Sequence, residues 1–268
     1  MTIRRTVFAL FLAATTPLSA QAPSDSPFRP KDGFTLPTDF AEDGRRTLGA
    51  FPKNLGKSLV GVFAKDNLAP LLIGAAATGA GSAFDQRARV GLVGQVPGLS
   101  SAASRAGGTS VMVPATIGLF ALGRFSHDTR FRAFSYDATQ AMIVNGVYSS
   151  ILKNAVRRER PDGADSLSFP SGHTSAAFAL ATVAEKHYGW KAGVPSYLAA
   201  SAIGLSRISN NRHYLSDVLA GATLGVIAGR TVARQNGEPA PGRRRSFSLG
   251  PTTDPSGAGV GLHASLSW

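Results

Sequence analysis

The chain of 268 residues contains no cysteine. Disulfides, a thiol nucleophile and a cysteine-ligated metal are therefore excluded, and the absence suits an exported protein, which would otherwise risk accidental oxidation. Acidic residues are scarce as well, 16 against 28 lysines and arginines, for a formal net charge of +12 and a pI near 10.7. That balance favours anionic partners: phosphorylated substrates, acidic lipid headgroups or nucleic acid. Nucleic acid ranks last, because no basic patch is interleaved with aromatics and no zinc-finger or RNP-like pattern occurs. Period-two alternation is missing from the central part of the chain, and there is no internal repeat. With 43% hydrophobic and 16% charged residues the chain is too apolar for disorder. Its length suits one substantial core rather than two full domains.

What is present begins with the layout of a secretory signal over residues 1–20. Arg4 and Arg5 precede an apolar run from Val7 to Ala14, and Pro17 and small residues follow through Ala20. Residues 21–39, rich in Pro, Ser and Asp, read as a tether. The region 40–236 carries the helical patterns. Phe40–Phe63 is amphipathic and broken at Pro52, with Lys53 and Lys57 beside the apolar positions. It fits either an anionic membrane surface or a core-packed helix. Asn67–Phe84 and Ala106–Gly123 are each uncharged over eighteen residues, the lower limit for a bilayer span; a mean hydropathy of +0.03 argues against a fully polytopic protein, so spans and buried helices both stay open. Asp85–Arg105 reads as a connecting segment and Arg124–Asp137 as a loop. Further helices are expected over Ala138–Arg160 (stopped by Pro161), Thr174–Tyr188, Pro195–Leu205 and Tyr214–Ala233. Beyond a Pro-, Gly- and Arg-rich linker in 237–268, Val260, Leu262, Ala264 and Leu266 alternate with small or polar residues in a strand pattern. Phe247 and Leu249 offer a partner strand.

Functional side chains gather at the ends of these helices in three groups. Lys153 and Arg160 stand seven residues apart, two turns of one expected helix, with Pro161 after them. Two cations on one face repel unless they share an anion; a solvated basic face is the plain alternative. Pro170-Ser171-Gly172-His173 opens the next helix. There glycine permits close approach of a ligand, the helix N-terminus offers free N–H groups, Ser171 adds a hydroxyl, and His173 adds a proton donor of suitable pKa. The third group is Ser206-Arg207 with His213 and, four residues on, Asp217, close enough along a helix for the carboxylate to orient the imidazole. Arg, His and Asp also serve as ordinary helix caps. Jointly, Lys153, Arg160 and Arg207 with the donors of Ser171 and Gly172 match the oxygens of a phosphate. Two histidines match an in-line displacement, one attacking and one protonating the leaving oxygen. Fixed cations can neutralise the developing charge, so no metal and no cofactor is expected.

The order Lys-x6-Arg-Pro, Pro-Ser-Gly-His, Ser-Arg-x5-His-x3-Asp fills eleven typed positions, Lys153, Arg160, Pro161, Pro170–His173, Ser206, Arg207, His213 and Asp217. It resembles the three-part signature of the type 2 phosphatidic acid phosphatase (PAP2) superfamily, which includes bacterial class A acid phosphatases, lipid phosphate phosphatases and vanadium haloperoxidases. The resemblance covers roughly residues 128–233. It implies an all-α fold, a PAP2-type helical bundle, here with a short C-terminal β-hairpin-like tail. It implies further that His213 attacks phosphorus to form a phosphohistidine, that Asp217 orients His213, and that His173 protonates the leaving alcohol and then activates water. Lys153, Arg160, Ser171, Gly172 and Arg207 would hold the phosphoryl oxygens. Only eight residues separate Pro161 from Pro170, which leaves little material for a substrate-selecting lid. The expected protein is an exported, metal-independent phosphatase, periplasmic or associated with the cell-envelope membrane. Its substrate would be a phosphorylated small molecule or a lipid phosphate or pyrophosphate. A vanadium-dependent haloperoxidase and a non-catalytic, membrane-associated phosphate-binding protein are the alternatives.

Overall fold

Proline placed at the start of a helix loses nothing, because the first N–H groups have no intrahelical partner. Pro52 does this for α1 (Phe51–Gly61); it opens the helix instead of breaking a longer one. A single 3-10 turn, Lys65–Asn67, leads into α2 (Leu68–Ser82). The segment expected to be a connector is itself helical, forming α3 (Asp85–Leu92) and α4 (Pro97–Ala106). Next come α5 (Thr109–Phe125), α6 (Thr129–Val156), α7 (Gly172–Tyr188), α8 (Trp190–Ser209) and α9 (Leu215–Asn236). This computed structural model describes residues 46–95, 97–237, 246–253 and 260–267. The expected signal (1–20) and tether (21–39) lie outside them. In the tail, β1 (Ser246–Thr253) and β2 (Val260–Ser267) pair antiparallel, with Phe247 opposite Leu266 and Leu249 opposite Ala264, the pairing the alternation predicts.

Helix α6 runs beyond its expected start and stops before its expected end. Asp128 caps it, its Oδ1 accepting from the backbone N–H of Arg130 (2.9 Å) and Phe131 (3.1 Å), which draws most of the expected loop into the helix. At the other end Arg157 adopts a left-handed conformation (φ 48°) and turns the chain away. Arg160 is therefore not on the α6 face, as the spacing predicts, but in the loop that follows.

The core is built from small side chains. Ala138, Ala141 and Val144 of α6, Ala179 and Val183 of α7, and Ala228 and Val232 of α9 form one buried cluster. Ala177, Ala181 and Ala200 join α7 to α8 in a second. Gly221, Gly225 and Gly229 line one face of α9 at intervals of four. A Cβ on Gly225 would lie 2.3 Å from the Ser175 carbonyl oxygen and 2.8 Å from the Ala179 nitrogen, and one on Gly221 would lie 2.6 Å from the Ser171 oxygen. The stripe thus lets the α7 backbone lie directly on α9, and this contact brings the start of α7 beside the start of α9.

Candidate active site

Because consecutive helices from α6 to α9 run in opposite directions, the last turns of α6 and α8 and the first turns of α7 and α9 meet at one end of the bundle. They bring Lys153, Arg207, His173 and Asp217 together. The 157–171 loop supplies Arg160, and the α8–α9 connection supplies His213. Lys153, Arg160, Gly172, His173, Arg207 and His213 all border one cavity of about 410 Å³.

His213 is 3% exposed. Its Nε2 lies 3.1 Å from Nη1 of Arg160. A guanidinium has no lone pair, so Nε2 accepts, and the ring proton belongs on Nδ1. Nδ1 points toward Asp217, but at 3.7 Å from Oδ2, beyond a direct hydrogen bond. Ser168 stands alongside; its Oγ donates to the same Oδ2 at 2.5 Å and lies 3.5 Å from Nδ1. His213 is not on a helix with Asp217. It precedes the N-cap Tyr214, and Asp217 sits in the first turn of α9, its Oδ2 accepting the Tyr214 N–H at 2.9 Å. Capping a helix and orienting the histidine are both duties of this one carboxylate.

Asp217 has no exposed surface and its second oxygen is held from outside the predicted set. Nη1 of Arg158 donates to Oδ1 at 2.8 Å, while Nη2 of Arg158 donates to Asp85 at 2.7 Å. Asp85, from α3, also accepts from the N–H (2.8 Å) and Oγ (2.7 Å) of Ser216, so it caps α9 from another element. The Arg158 guanidinium lies over the Tyr214 ring at 4.1 Å. The spacing of signature residues points to none of Arg158, Ser168 and Asp85. Arg158 belongs to the visible basic run before Pro161, but Asp85 lies in the segment read as a connector, and nothing in sequence ties it to the site.

The cations are held at the rim of the cavity. Nζ of Lys153 donates to the carbonyls of Leu167 (2.6 Å) and Pro170 (2.7 Å), leaving one of its three protons. Nε of Arg160 donates to Asp165 at 2.6 Å. Arg207 donates to Oγ of Ser104, from α4, and its Nε is buried without a partner among the described residues. Gly172 is the first residue of α7 and His173 the second, so their N–H groups are among those that no helical carbonyl takes. Ser171 is fully buried, its hydroxyl accepting from Thr174 at 2.9 Å.

Crowding of like charge in a poorly solvated place shifts the pKa values of the site. Burial pulls His213 down to about 4, against the opposing pull of Asp217. Burial first, then Arg207 and the other cations, brings His173 down to about 4. Lys153 falls to about 8 through burial and the nearness of Arg160. All three shifts disfavour positive charge, and a bound anion would reverse them. Such a concentration of perturbed groups in a cavity marks a functional site.

Residues 137–239 match the family model of the PAP2 superfamily. The chain is 49% identical over 80 residues to the lipid A 1-phosphatase of Porphyromonas gingivalis, covering 29% of this chain and 18% of that protein. It is 33% identical over 138 residues to the probable diacylglycerol pyrophosphate phosphatase 1 of Schizosaccharomyces pombe, covering 35% and 50%. The matches thus span half or less of these curated relatives. A transmembrane PAP2-type phosphatidylglycerolphosphate phosphatase from Bacillus subtilis superposes with a TM-score of 0.51 over 65% of this chain and 94% of that one, at 23% identity. The likeness shows a shared fold. All eight predicted site residues lie inside the family match; Asp85 and Ser104 lie outside it.

Proposed function

We propose that this chain, a PAP2-superfamily protein over residues 137–239, is a lipid phosphate phosphatase that works through a phosphohistidine. The observation that carries the reading is the convergence of two histidines, three cations and the α7 N-terminus on one cavity, with a carboxylate behind one histidine only. His213 has the lone pair of Nε2 directed away from Asp217, so it is the nucleophile. His173, with no carboxylate partner among the described residues, is the acid. As Nε2 bonds to phosphorus, the bond to the leaving oxygen breaks and His173 gives that oxygen its proton. The neutral His173 then takes a proton from water, whose oxygen attacks phosphorus and releases His213 and inorganic phosphate. Arg160 moves its N–H from Nε2 to a phosphoryl oxygen as the bond forms. Lys153, Arg207 and the Gly172 and His173 N–H groups bind the other oxygens, and Ser171 anchors the turn that presents them.

A lipid substrate is supported by the relatives' names and by the apolar character of the bundle. α9 is long and apolar enough to cross a membrane, as are the bent pairs formed by α1 with α2 and by α4 with α5. Leu72 and Ile73 of α2, Ile117 and Leu122 of α5, and Leu198 of α8 are exposed. With the signal-like residues 1–20, this supports a protein embedded in the cell-envelope membrane.

The full chain in mixed micelles should hydrolyse phosphatidate in the presence of a chelator. Exchanging His213→Ala should reduce turnover by at least about a thousandfold and remove the acid-labile phosphoenzyme, with helical content unchanged. Turnover that survives this exchange means the nucleophile is misassigned. Halide oxidation with vanadate and peroxide, without phosphate release, would replace the phosphatase reading by the haloperoxidase one.

A further inference from the structure

The cavity continues past the cations. From Lys153 back along α6, Ser149, Asn145 and Met142 follow at intervals of four, four and three residues and border the same space. One face of α6 therefore lines it. At 1.5 Å per residue, Ser149 lies about 6 Å and Asn145 about 12 Å from Lys153 along the helix. Met112 and Val113 of α5 border it too. The lining of α6 thus passes from ammonium through hydroxyl and carboxamide to thioether. Asn145 is 4% exposed, and its Oδ1 has no hydrogen-bond partner among the described residues. A buried carboxamide oxygen left unpaired is unfavourable for folding, and an apolar side chain of the same shape would not carry that cost. Its presence at this depth calls for a ligand group.

We propose that Asn145, with Ser149 beside it, binds the neutral polar linkage of a lipid phosphate, the ester carbonyl or hydroxyl lying between the phosphate and the hydrocarbon. The inference rests on the phosphatase reading of the same cavity. With the phosphate among the cations, a glycerol backbone and its first ester fall along Ser149 and Asn145, and the acyl chain proceeds to the methionines. Asn145 offers both a donor and an acceptor, so it can serve a carbonyl or a hydroxyl. A site built to hydrogen-bond its substrate discriminates strongly against an analogue that lacks the group. Asn145 is then a specificity-determining residue for the leaving group, outside the three-part signature.

The test compares wild type with Asn145→Leu on two micellar substrates, a diacyl phosphatidate and an alkyl phosphate of matched chain length that has neither ester nor free hydroxyl. The ratio of kcat/KM for phosphatidate over alkyl phosphate should fall about tenfold or more in Asn145→Leu, the factor expected when one such bond is lost. Ser149→Ala should lower the same ratio by a smaller factor, and it decides the matter alone if Asn145→Leu does not fold. An unchanged ratio, or an equal loss on both substrates, overturns the assignment. Equal use of the two substrates by the wild type overturns it too, while leaving the phosphatase intact. If the wild type hydrolyses neither, the phosphatase reading fails and this inference with it.

Discussion

Arg158 holds two carboxylates 2.7 Å and 2.8 Å from the ends of one guanidinium, and only one of them, Asp217, faces His213. The arginine thus fixes the carboxylate that orients the histidine, and Asp85 fixes the arginine. Outer partners that orient metal ligands typically matter by 10- to 100-fold, and the same order is expected for a partner that orients a nucleophile's carboxylate. Arg158→Met should lower kcat by about that factor. It should also raise the pKa of His213, because Asp217 would act on it without a competing cation, and so move the acid limb of kcat/KM to higher pH. Arg158→Lys should restore part of the rate. A purely structural role would change stability and leave the limb in place. The unaltered site predicts its own profile. His213 attacks only when neutral, so kcat/KM should fall as pH drops through about 4. His173 donates only when protonated, and at about 4 in the free protein it places the optimum of kcat/KM on the acid side. A bound phosphate dianion offsets the surrounding cations and raises His173, so the optimum of kcat should lie at higher pH than that of kcat/KM. Above about 8 Lys153 loses its charge, and KM should rise there. Coincident optima for the two parameters would count against His173 as the acid.

Among the helices, the long apolar runs are the ones legible from sequence. α7 and α9 lie within a few residues of their expected bounds, since alanine and glycine at close intervals leave one compact face. α3 and α4 are not legible as helices. They are short, and Arg87, Arg89 and Arg105 interrupt any apolar stripe, so the packing partners decide their form. The start of α6 is hidden by aromatics among charges; the Phe131 and Phe134 rings pack at a tilt, and Phe134 meets the Tyr188 ring edge-on, contacts that sequence does not disclose. The site residues themselves were legible because their types and order are tied to the chemistry. How they meet was not. Lys153 and Arg160 converge through a left-handed Arg157 rather than along a helix, and no glycine signals that turn. The α7–α9 contact is the element on which the geometry depends. Gly225→Ala would set a methyl against two backbone atoms, a contact that neither helix relieves without moving. A loss of about 1–3 kcal/mol is expected. Thermal unfolding would read it as a drop of several degrees. Gly221→Ala, pressing on the Ser171 carbonyl, should in addition lower activity by displacing the α7 N-terminus from Asp217.

At the scale of the molecule the bundle carries polar networks at both ends, and they make opposite demands. At the far end Asp137 is fully buried. Arg46 grips it with two bonds of 2.9 Å and 2.8 Å, and His187 (2.9 Å) and Asn236 (2.8 Å) add to them. Burial alone would raise its pKa, but the bonds from His187 and Arg46 hold it below the ordinary carboxylate value. Asp137 and Lys153 lie sixteen residues apart on α6, about 24 Å, so the clamp serves stability and not the reaction. Asp137→Ala takes the buried carboxylate away from Arg46, His187 and Asn236 at once. About 3–5 kcal/mol should be lost, with kcat of the folded fraction within about twofold of wild type. The two ends also set the acid response. In the unfolded chain His173 and His213 take up protons near their ordinary 6.5, and in the folded protein only near 4. Over that window the unfolded state binds more protons, so the histidines' contribution to stability is level above pH 6.5 and falls as pH drops toward 4. Asp137, depressed in the folded state, adds its loss only below the ordinary carboxylate range. Melting temperature against pH should therefore descend in two stages. Saturating inorganic phosphate should flatten the first, because the anion favours the protonated histidines, and leave the second unmoved. In Asp137→Ala the second stage should shrink and the first persist. A single descent, unaffected by phosphate, would mean that the histidines are not held neutral by the bundle.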